Sequence, residues 1–368
     1  MRNALLAFSI TLAAPMVAAA QQITIVSYNA ENLFDTSDDI TNPHDNTYLP
    51  LSVKTAQGAD HERSCLTANP NPRSFYFKQC ISLDWSESVY KKKIANYADV
   101  INAMPSLPHV LVIPETENKA VLDDLTKLLP GSGQWTVIQL DSSDKPNSRG
   151  IDVGMISRLP TASEPVAHKI DFGSAANVCD PTRDILHARF KLPDNAVLNV
   201  FGVHFPSGSN PFECRSRAFV KLNELAAALP KTELKVAAGD FNLNCAETQT
   251  DGMDRLLLRG DWYLSPLAKA GCSAPGSSKF IDRNLYNWNT WSFLDLILVS
   301  SSLSPTQEST ENWWADLGSF GTVVVTSEQY TVDDANKGFV EPRRFDPATQ
   351  TGVSDHWPVA IRLMPRRH

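Results

Sequence analysis

Short apolar runs separated by polar connections recur along most of the chain. Several of these runs are almost continuously apolar, as expected for strands that are covered on both faces. The pattern predicts strands at Ile23–Tyr28, Val110–Pro114, Trp135–Leu140, Ile151–Ser157, Leu186–Leu192, Ala196–His204, Leu234–Asp240, Phe293–Val299, Thr322–Val325 and Pro358–Leu363.

Helical periodicity marks three other segments. Apolar residues recur with a period near 3.6 in Tyr90–Met104, Lys119–Leu129 and Arg217–Leu229. Many strands with a few interspersed helices, and no break in composition, predict one layered α/β domain over residues 21–368.

Two polar stretches interrupt this pattern. Residues at about 35–88 (Asp35–Ser88) are rich in Asn, Pro, Asp and Ser. We expect them to form a long surface insertion. Tyr330–Gly352 is also polar and is predicted to be a loop near the C-terminus.

The first twenty residues have the features of a signal peptide. One positive charge precedes an apolar stretch from Ala4 to Ala20, which ends in small residues before Gln21. A transmembrane anchor is the alternative, but the stretch is shorter and richer in alanine than a span prefers. We therefore expect an exported, periplasmic or extracellular protein with no membrane span after cleavage.

Six cysteines remain after the first twenty residues, an even number that favours disulfides in an exported chain. Six cysteines allow 15 connectivities, and no spacing matches a zinc template. Pairing of sequence neighbours is our hypothesis: Cys65 with Cys80, Cys179 with Cys214, and Cys245 with Cys272.

The charge of the chain limits its function. The formal net charge is -8, which is not the basic footprint of a passive nucleic-acid binder. An enzyme that acts on phosphates remains compatible with this charge, because a metal ion can supply local positive charge.

Polar side chains recur where the predicted strands end. Taken singly, an Asn or Asp in such a place is most often turn chemistry, and a lone His is most often structural. Glu117 is as available as Glu115 for binding a metal. The residues are Asn29, Asn32, Glu115, His204, Asp240, Asn242, Asp355 and His356.

Asp295 is harder to explain as a structural residue. It lies inside the apolar run Phe293–Val299, and a buried carboxylate is costly unless it is paired or bound to a metal. Asp295 therefore needs a partner, and a histidine is a natural one.

Seven motifs, spread in order over nearly the whole chain, resemble the endonuclease/exonuclease/phosphatase (DNase I-like) superfamily, and most closely its bacterial extracellular nucleases. The resemblance implies a four-layer α/β sandwich in which two mixed β-sheets pack face to face with helices outside. The motifs are SYNAENLFD (27–35), PETEN (114–118), RGIDV (149–153), HFPS (204–207), GDFN (239–242), LDLIL (294–298) and SDHWPV (354–359).

The same resemblance implies a role for each matching residue. Glu115, with Asn29 and Asp355 nearby, corresponds to the metal ligands. Asp240 and Asn242 correspond to residues that position water and phosphate. His356, oriented by Asp295, corresponds to one member of a histidine pair, and His204 to the other. Arg149 and Asp152 match a further block and are candidates for substrate binding.

These residues suit the hydrolysis of a phosphodiester, which needs a cation, a base for water and help for the leaving alkoxide. Magnesium is the expected cofactor, with manganese or calcium as alternatives. We predict a nuclease that cuts DNA, with RNA as a second candidate substrate, and that needs no obligate protein partner. The alternatives are a phosphoesterase of the same fold acting on phospholipid head groups or small phosphate esters, and a non-catalytic binding protein.

Four tryptophans offer a second possible contact with nucleic acid, because aromatic rings can stack on bases. We favour packing in the core and loops, since Trp is heavily buried on average. They are Trp288, Trp291, Trp313 and Trp314.

Overall fold

Most of the predicted apolar runs form strands in a computed structural model, which describes residues 21–143, 149–179, 181–270, 275–279, 291–304, 312–333 and 339–366. The strands are β1 (Ile23–Ser27), β2 (Val110–Thr116), β3 (Thr136–Ile138), β4 (Asp152–Ser157), β5 (Val166–His168), β6 (Ile185–Lys191), β7 (Val197–His204), β8 (Leu234–Asp240), β9 (Trp262–Tyr263), β10 (Ser278–Lys279), β11 (Trp291–Ser292), β12 (Asp295–Ser300), β13 (Trp313–Thr322), β14 (Tyr330–Asp333), β15 (Phe339–Pro342) and β16 (Val359–Pro365).

The described strands form two six-stranded mixed sheets. The first has the order β13-β16-β1-β2-β4-β3, and the second has the order β5-β6-β7-β8-β12-β9. Parallel pairs lie in the middle of each sheet, β1 with β2 and β7 with β8, while the other neighbours are antiparallel.

The two sheets pack face to face through alternate residues of their strands. Ile25 and Val112 belong to the core between the sheets, whereas Leu111 faces the opposite side. Gly202 allows the sheets to approach closely, because a Cβ at this position would lie 2.7 Å from Cε of Met155 in the other sheet.

Helices cover the outer faces, so the predicted four-layer arrangement is confirmed. Apolar residues of α4 and α5 pack on the first sheet, and α7 packs on the second, where Phe219 contacts Phe205 and Phe241. The helices are α1 (Leu51–Gln57), α2 (Ala59–Ala68), α3 (Phe75–Ser82), α4 (Glu87–Ala103), α5 (Lys119–Lys127), α6 (Ala176–Cys179), α7 (Phe212–Ala227), α8 (Cys245–Thr248), α9 (Asp251–Arg259) and α10 (Pro266–Ala270).

The polar stretch 35–88 contains α1, α2 and α3, which we call the insertion helices. The disulfide between Cys65 and Cys80 joins α2 to α3 as predicted. Lys54 is buried among them and donates hydrogen bonds to the carbonyls of Thr47, Cys80 and Leu83 at 2.8, 2.9 and 2.7 Å. Few residues of these short helices are buried, so covalent and polar links hold them in place.

The other two cysteine pairings have different outcomes. Cys179 and Cys214 form the second predicted disulfide, which joins α6 to α7. The third prediction involves Cys272, which lies outside the described residues.

Two predictions of secondary structure are wrong. The strand expected at Thr322–Val325 lies earlier, at Trp313–Thr322. It is an edge strand with a bulge between Asp316 and Gly321, and its buried residues alternate with partly exposed ones, so no continuous apolar run marks it. The predicted loop Tyr330–Gly352 contains the hairpin β14–β15 instead, because backbone pairing does not require apolar side chains.

The tryptophans and the termini complete the comparison. Trp291 and Trp313 are buried, and Trp291 stacks on Trp357, so packing accounts for both. Trp288 and the predicted signal peptide, residues 1–20, lie outside the described residues. In the part of the chain that is described, every helix is too short or too polar to cross a membrane.

Candidate active site

Strand pairing brings the predicted polar residues to one end of both sheets. Asn29 follows β1 and Glu115 lies near the end of the parallel strand β2. His204 ends β7 and pairs with Asp240 at the end of the parallel strand β8. Asp295 begins the antiparallel strand β12, opposite Asp240. Together with His356, which precedes β16, these residues form what we call the strand-end cluster.

Asp295 and His356 form the predicted carboxylate–histidine pair. Nδ1 of His356 donates to Oδ2 of Asp295 at 2.6 Å, and both side chains are buried. This bond fixes the tautomer and leaves Nε2 of the imidazole for another partner. The backbone also holds the pair, since the His356 amide donates to Oγ of Ser354, whose hydroxyl donates to the carbonyl of Asn29.

Both imidazoles turn Nε2 towards the same carboxylate. Nε2 of His204 lies 3.8 Å from Oδ2 of Asp240, and Nε2 of His356 lies 3.9 Å from the same oxygen. Gly239 makes this approach possible, because a Cβ there would lie 2.0 Å from the carbonyl oxygen of Val203 in the neighbouring strand. The glycine of the GDFN motif is thus a requirement of strand packing.

Glu115 lies in the cluster, and Glu117 does not. Oε2 of Glu115 accepts from the Asn32 amide at 3.0 Å, and Oε1 lies 3.7 Å from Nε2 of His204. Oε2 of Glu117 instead accepts from the amide of Asp35. Glu115 has a φ of 67°, and this left-handed backbone turns consecutive side chains of the PETEN motif to different places.

Asn29 links the two carboxylates that face each other across the sheets. Its amide nitrogen donates to Oδ2 of Asp240 at 3.1 Å and contacts Oε1 of Glu115 at 3.5 Å. Its oxygen accepts from the Glu31 amide at 2.9 Å. In this orientation Asn29 positions Glu115 and Asp240.

Asn242 is held beside Asp240 by its backbone. Its amide donates to Oδ1 of Asp240 at 2.8 Å, and its side-chain nitrogen donates to the carbonyl of Phe205 at 3.0 Å. The φ of 52° is one that Asn tolerates better than most residues. The sequence GDFN therefore places a carboxylate and an amide on one side of a tight turn.

The two predicted substrate-binding residues differ in position. Arg149 is exposed and its guanidinium donates to Oδ1 of Asn32. Asp152 is buried and accepts from the amide of Ser142 at 3.1 Å and from its hydroxyl. Arg149 is open to a ligand, whereas Asp152 helps to arrange the loop beside it.

Asp355 is at the open side of the cluster. Its Oδ1 lies 3.9 Å from Nε2 of His356, and its Oδ2 accepts from the guanidinium of Arg344. Arg344 also lies 3.4 Å from Oε1 of Glu31. Neither Glu31 nor Arg344 was predicted, since Arg344 belongs to a stretch interpreted as a loop.

Arg183 is a second cation that the sequence analysis missed. It is buried, and its Nη2 has no hydrogen-bond partner in the part of the chain that is described. It precedes β6, which runs antiparallel to β7, so it reaches the edge where β7 ends at His204. A polar residue directly before a predicted strand was the available signal, but its use required the strand direction.

The local charges shift the two histidines in opposite directions. Burial opposes protonation of His356, but Asp295 raises its pKa well above the usual value. Burial and the charge of Arg183 lower the pKa of His204 well below it. Environments that separate two pKa values mark different acid–base roles. His356 is suited to carry a proton at Nε2, and His204 to remain neutral.

The carboxylates are also separated by their surroundings. Burial raises the pKa of Asp240 to about 7, although the charge of His356 opposes this. Burial acts in the same direction on Glu115, but Arg149, the strongest of the nearby charges, lowers its pKa to about 2. Glu115 is therefore an anion throughout the neutral range.

The donor set fits a divalent cation. Carboxylate oxygens are hard ligands of the kind that magnesium and calcium prefer. Among the described residues, Oε1 of the partly buried Glu115 has no hydrogen bond shorter than the 3.5 Å contact from Asn29. This oxygen lacks a strong partner, and Asp240 and Asp355 lie on the same side of the cluster.

Buried carboxylates, a carboxylate-oriented imidazole and the Arg183 guanidinium, whose Nη2 has no partner among the described residues, lie at one edge of a two-sheet sandwich and suit the binding of a phosphate ester. The chain belongs to the Endonuclease/Exonuclease/phosphatase family, whose model matches residues 66–365. Members are hydrolases that act on phosphoesters and generally use divalent metals. No curated protein matches the chain in sequence.

Solved structures of the same fold include proteins of different activity. A mannosyl-6-phosphatase from Bacteroides thetaiotaomicron is 16% identical, with a TM-score of 0.51 over 93% of this chain and 99% of that chain. Sphingomyelinase C from Streptomyces griseocarneus has the same four values. A family protein from Bacteroides vulgatus is 12% identical, with a TM-score of 0.53 over 94% of this chain and 100% of its own. These likenesses show the fold, and the narrower resemblance to extracellular nucleases stays a prediction.

Proposed function

We propose that the chain is an exported, divalent-metal-dependent phosphodiesterase whose main substrate is DNA, with RNA as a second substrate. One observation carries this proposal. Nε2 of His204 and Nε2 of His356 both lie within 3.9 Å of Oδ2 of Asp240, so a protonated imidazole, a neutral imidazole and a carboxylate surround one point. We further propose that residues 21–368 act as one unit.

Each residue has a chemical task at that point. His356, oriented by Asp295, donates a proton from Nε2 to the leaving oxygen. Asp240 orients the attacking water and takes up the proton that the water loses, and neutral His204 hydrogen-bonds a non-bridging oxygen. Arg183 adds positive charge beneath these groups, a preorganised contribution to stabilising the developing negative charge.

The metal supplies charge neutralisation and a Lewis acid when it is bound. Glu115 and Asp355 would hold it, and Asn29 would keep Glu115 in place. Magnesium suits such a site because it keeps several waters and needs few protein ligands. When the metal binds, the Arg344 guanidinium would either leave Asp355 or keep its hydrogen bond to one oxygen of Asp355 while the metal takes the other.

A small phosphate ester or a phospholipid head group is the second candidate substrate. The names of two proteins with the same fold refer to a mannose phosphate and to sphingomyelin. The fold alone does not choose between these substrates and nucleic acid.

Nicking of supercoiled plasmid by the purified, oxidised mature protein tests the proposal. We expect nicking with magnesium, none with chelator, and a loss of about 10³-fold in His356→Ala. His168→Ala is the matched control, because His168 is half-buried on β5 and makes no contact with the cluster. A folded wild-type protein that leaves plasmid intact but hydrolyses small phosphate esters would move the function to the second candidate.

A further inference from the structure

A cavity of about 590 Å³ lies between the strand-end cluster and the insertion helices. Glu115 and Asp355 line one side of it. The opposite side belongs to the insertion helices and their connections, including Asn69, Phe75 and Gln79. Whatever occupies this space touches both the proposed metal ligands and a segment outside the two sheets.

Two neighbouring aromatic side chains at this cavity are largely exposed. Phe75 is 71% exposed and Tyr76 is 65% exposed, at the first turn of α3. Their rings meet edge to face, with centroids 5.7 Å apart, so each ring keeps an open face. Exposed apolar side chains that adjoin each other beside a cavity are typical of a binding surface.

Three aromatic rings that are buried or partly buried line the rest of the cavity. Phe34 stacks on Tyr48 with ring centroids 4.1 Å apart, and Tyr48 contacts Trp85 edge to face at 5.3 Å. The Trp85 indole donates to the carbonyl of Phe34 at 3.1 Å. Phe34, Tyr48 and Trp85 therefore pack against one another. Among the described aromatic rings, Phe75 and Tyr76 contact only each other.

The exposed pair is held in place from behind. Ser74 caps α3 by accepting from the Phe77 amide at 3.1 Å. The disulfide from Cys80 and the three hydrogen bonds of Lys54 fix the other end of the helix. A preorganised aromatic surface loses little entropy when a ligand stacks on it.

The cavity also carries positive charge where a phosphate chain would enter. Arg149 and Arg344 line it beside Glu115 and Asp355. A guanidinium group can donate two parallel hydrogen bonds to two oxygens of one phosphate. The amide side chains of Asn69 and Gln79 add donors and acceptors near the exposed rings.

We propose that this cavity binds an unpaired nucleobase of a single-stranded nucleic acid, stacked on Phe75 or Tyr76, next to the scissile phosphate. The proposal rests on the proposed function. A base can reach these rings only when it is out of a duplex, and aromatic stacking tolerates every base. Single strands should therefore be better substrates than duplexes of the same sequence.

The test compares two single strands, one ordinary and one with abasic residues at every position. The quantity is the ratio of kcat/KM for the ordinary strand to kcat/KM for the abasic strand. We expect this ratio to fall about tenfold in Phe75→Ala/Tyr76→Ala, and to be retained in Phe75→Tyr. Tyr263→Ala, a half-exposed tyrosine on β9, is the control and should keep the wild-type ratio.

Binding separates this proposal from the proposed function. Affinity of the His356→Ala protein for the two labelled strands reports the contribution of the bases without turnover. A base-dependent affinity that requires Phe75 and Tyr76, found while the wild-type protein cleaves neither strand, would support the cavity and overturn the nuclease. An unchanged ratio in the double variant would overturn the cavity and leave the nuclease standing. If the double variant loses only the hydrolysis of phospholipid vesicles and keeps the wild-type ratio for the two strands, the cavity proposal is also overturned, because the two rings would then contact a lipid.

Discussion

The strand-end cluster and the insertion helices differ in how their side chains are held. His204, Asp240 and Asp295 sit on neighbouring strands in fixed register and are all buried. Phe75 and Tyr76 sit on a short helix that is tied down by a disulfide and a lysine, and they are exposed. Chemistry that tolerates little displacement is built on paired strands, and contacts that tolerate variety are placed on an attached segment.

The comparison predicts that changes in the two regions have separable effects. Variants of the strand-end cluster should reduce turnover for every substrate. Variants of the insertion helices should change which substrate is preferred. Three predictions test this separation and a fourth concerns the stability of the sheet itself, in order of decreasing expected effect.

Glu115→Gln should lower kcat/KM about 10³-fold at fixed magnesium, because the neutral amide binds a divalent cation poorly. A magnesium titration should show a higher concentration for half-activation. Glu117→Gln is the matched control, since Glu117 faces Asp35 and lies outside the cluster. Equal activation curves for the Glu115 variant and wild type would remove Glu115 from the metal site.

Cys65→Ser/Cys80→Ser should destabilise the insertion helices by about 3 kcal/mol, because the disulfide closes a loop of 15 residues. Limited proteolysis should then cut within this segment while the sheets stay intact. Cys179→Ser/Cys214→Ser should instead lower the melting temperature of the whole protein, since it releases α7 from α6. Global unfolding in both variants would show that the two regions are not separable.

Asp295→Asn should lower kcat about 10²-fold, because an amide no longer fixes the tautomer of His356. Loss of the carboxylate also lowers the pKa of His356, which Asp295 raises in the wild type. The high-pH limb of the rate profile should therefore move to lower pH. A profile identical to that of the wild type would rule out His356 as the proton donor.

His109 should make the protein about 2 kcal/mol less stable at pH 5 than at pH 7. Burial lowers its pKa to about 4, and its Nδ1 accepts from the Thr24 amide at 3.0 Å. Because the unfolded chain binds the proton near pH 6.5, stability is complete above that value and is lost as the pH falls towards 4. Urea unfolding of His109→Gln at both pH values should show a smaller difference.

Much of the candidate site was predictable because its residues lie at the ends of apolar runs that mark strands in the sequence. Glu115, His204 and Asp240 directly follow or end apolar strands, and strand positions are visible in sequence. Asp295 was predictable from the cost of burying a carboxylate, and its partner is His356 at 2.6 Å. The four-layer arrangement came from motifs of the family, which occur in order.

The remaining features depended on contacts between distant residues. Arg183 reaches the cluster only because β6 runs antiparallel to β7, and Arg344 meets Glu31 from more than 300 positions away. Strand β13 has buried residues on one face only, and the described residues of β14 and β15 are exposed or partly exposed. No continuous apolar run therefore marks these strands in the sequence.

The sequence by itself determined which residue types end each strand, and it supplied the hypothesis that neighbouring cysteines pair, which the structure confirms for Cys65–Cys80 and Cys179–Cys214. Only the tertiary structure decided which of Glu115 and Glu117 joins the cluster, and that Phe75 and Tyr76 face it across a cavity. The reason is physical: apolar burial and strand propensity act over a few residues, whereas register and packing set distances between residues that are far apart in the chain.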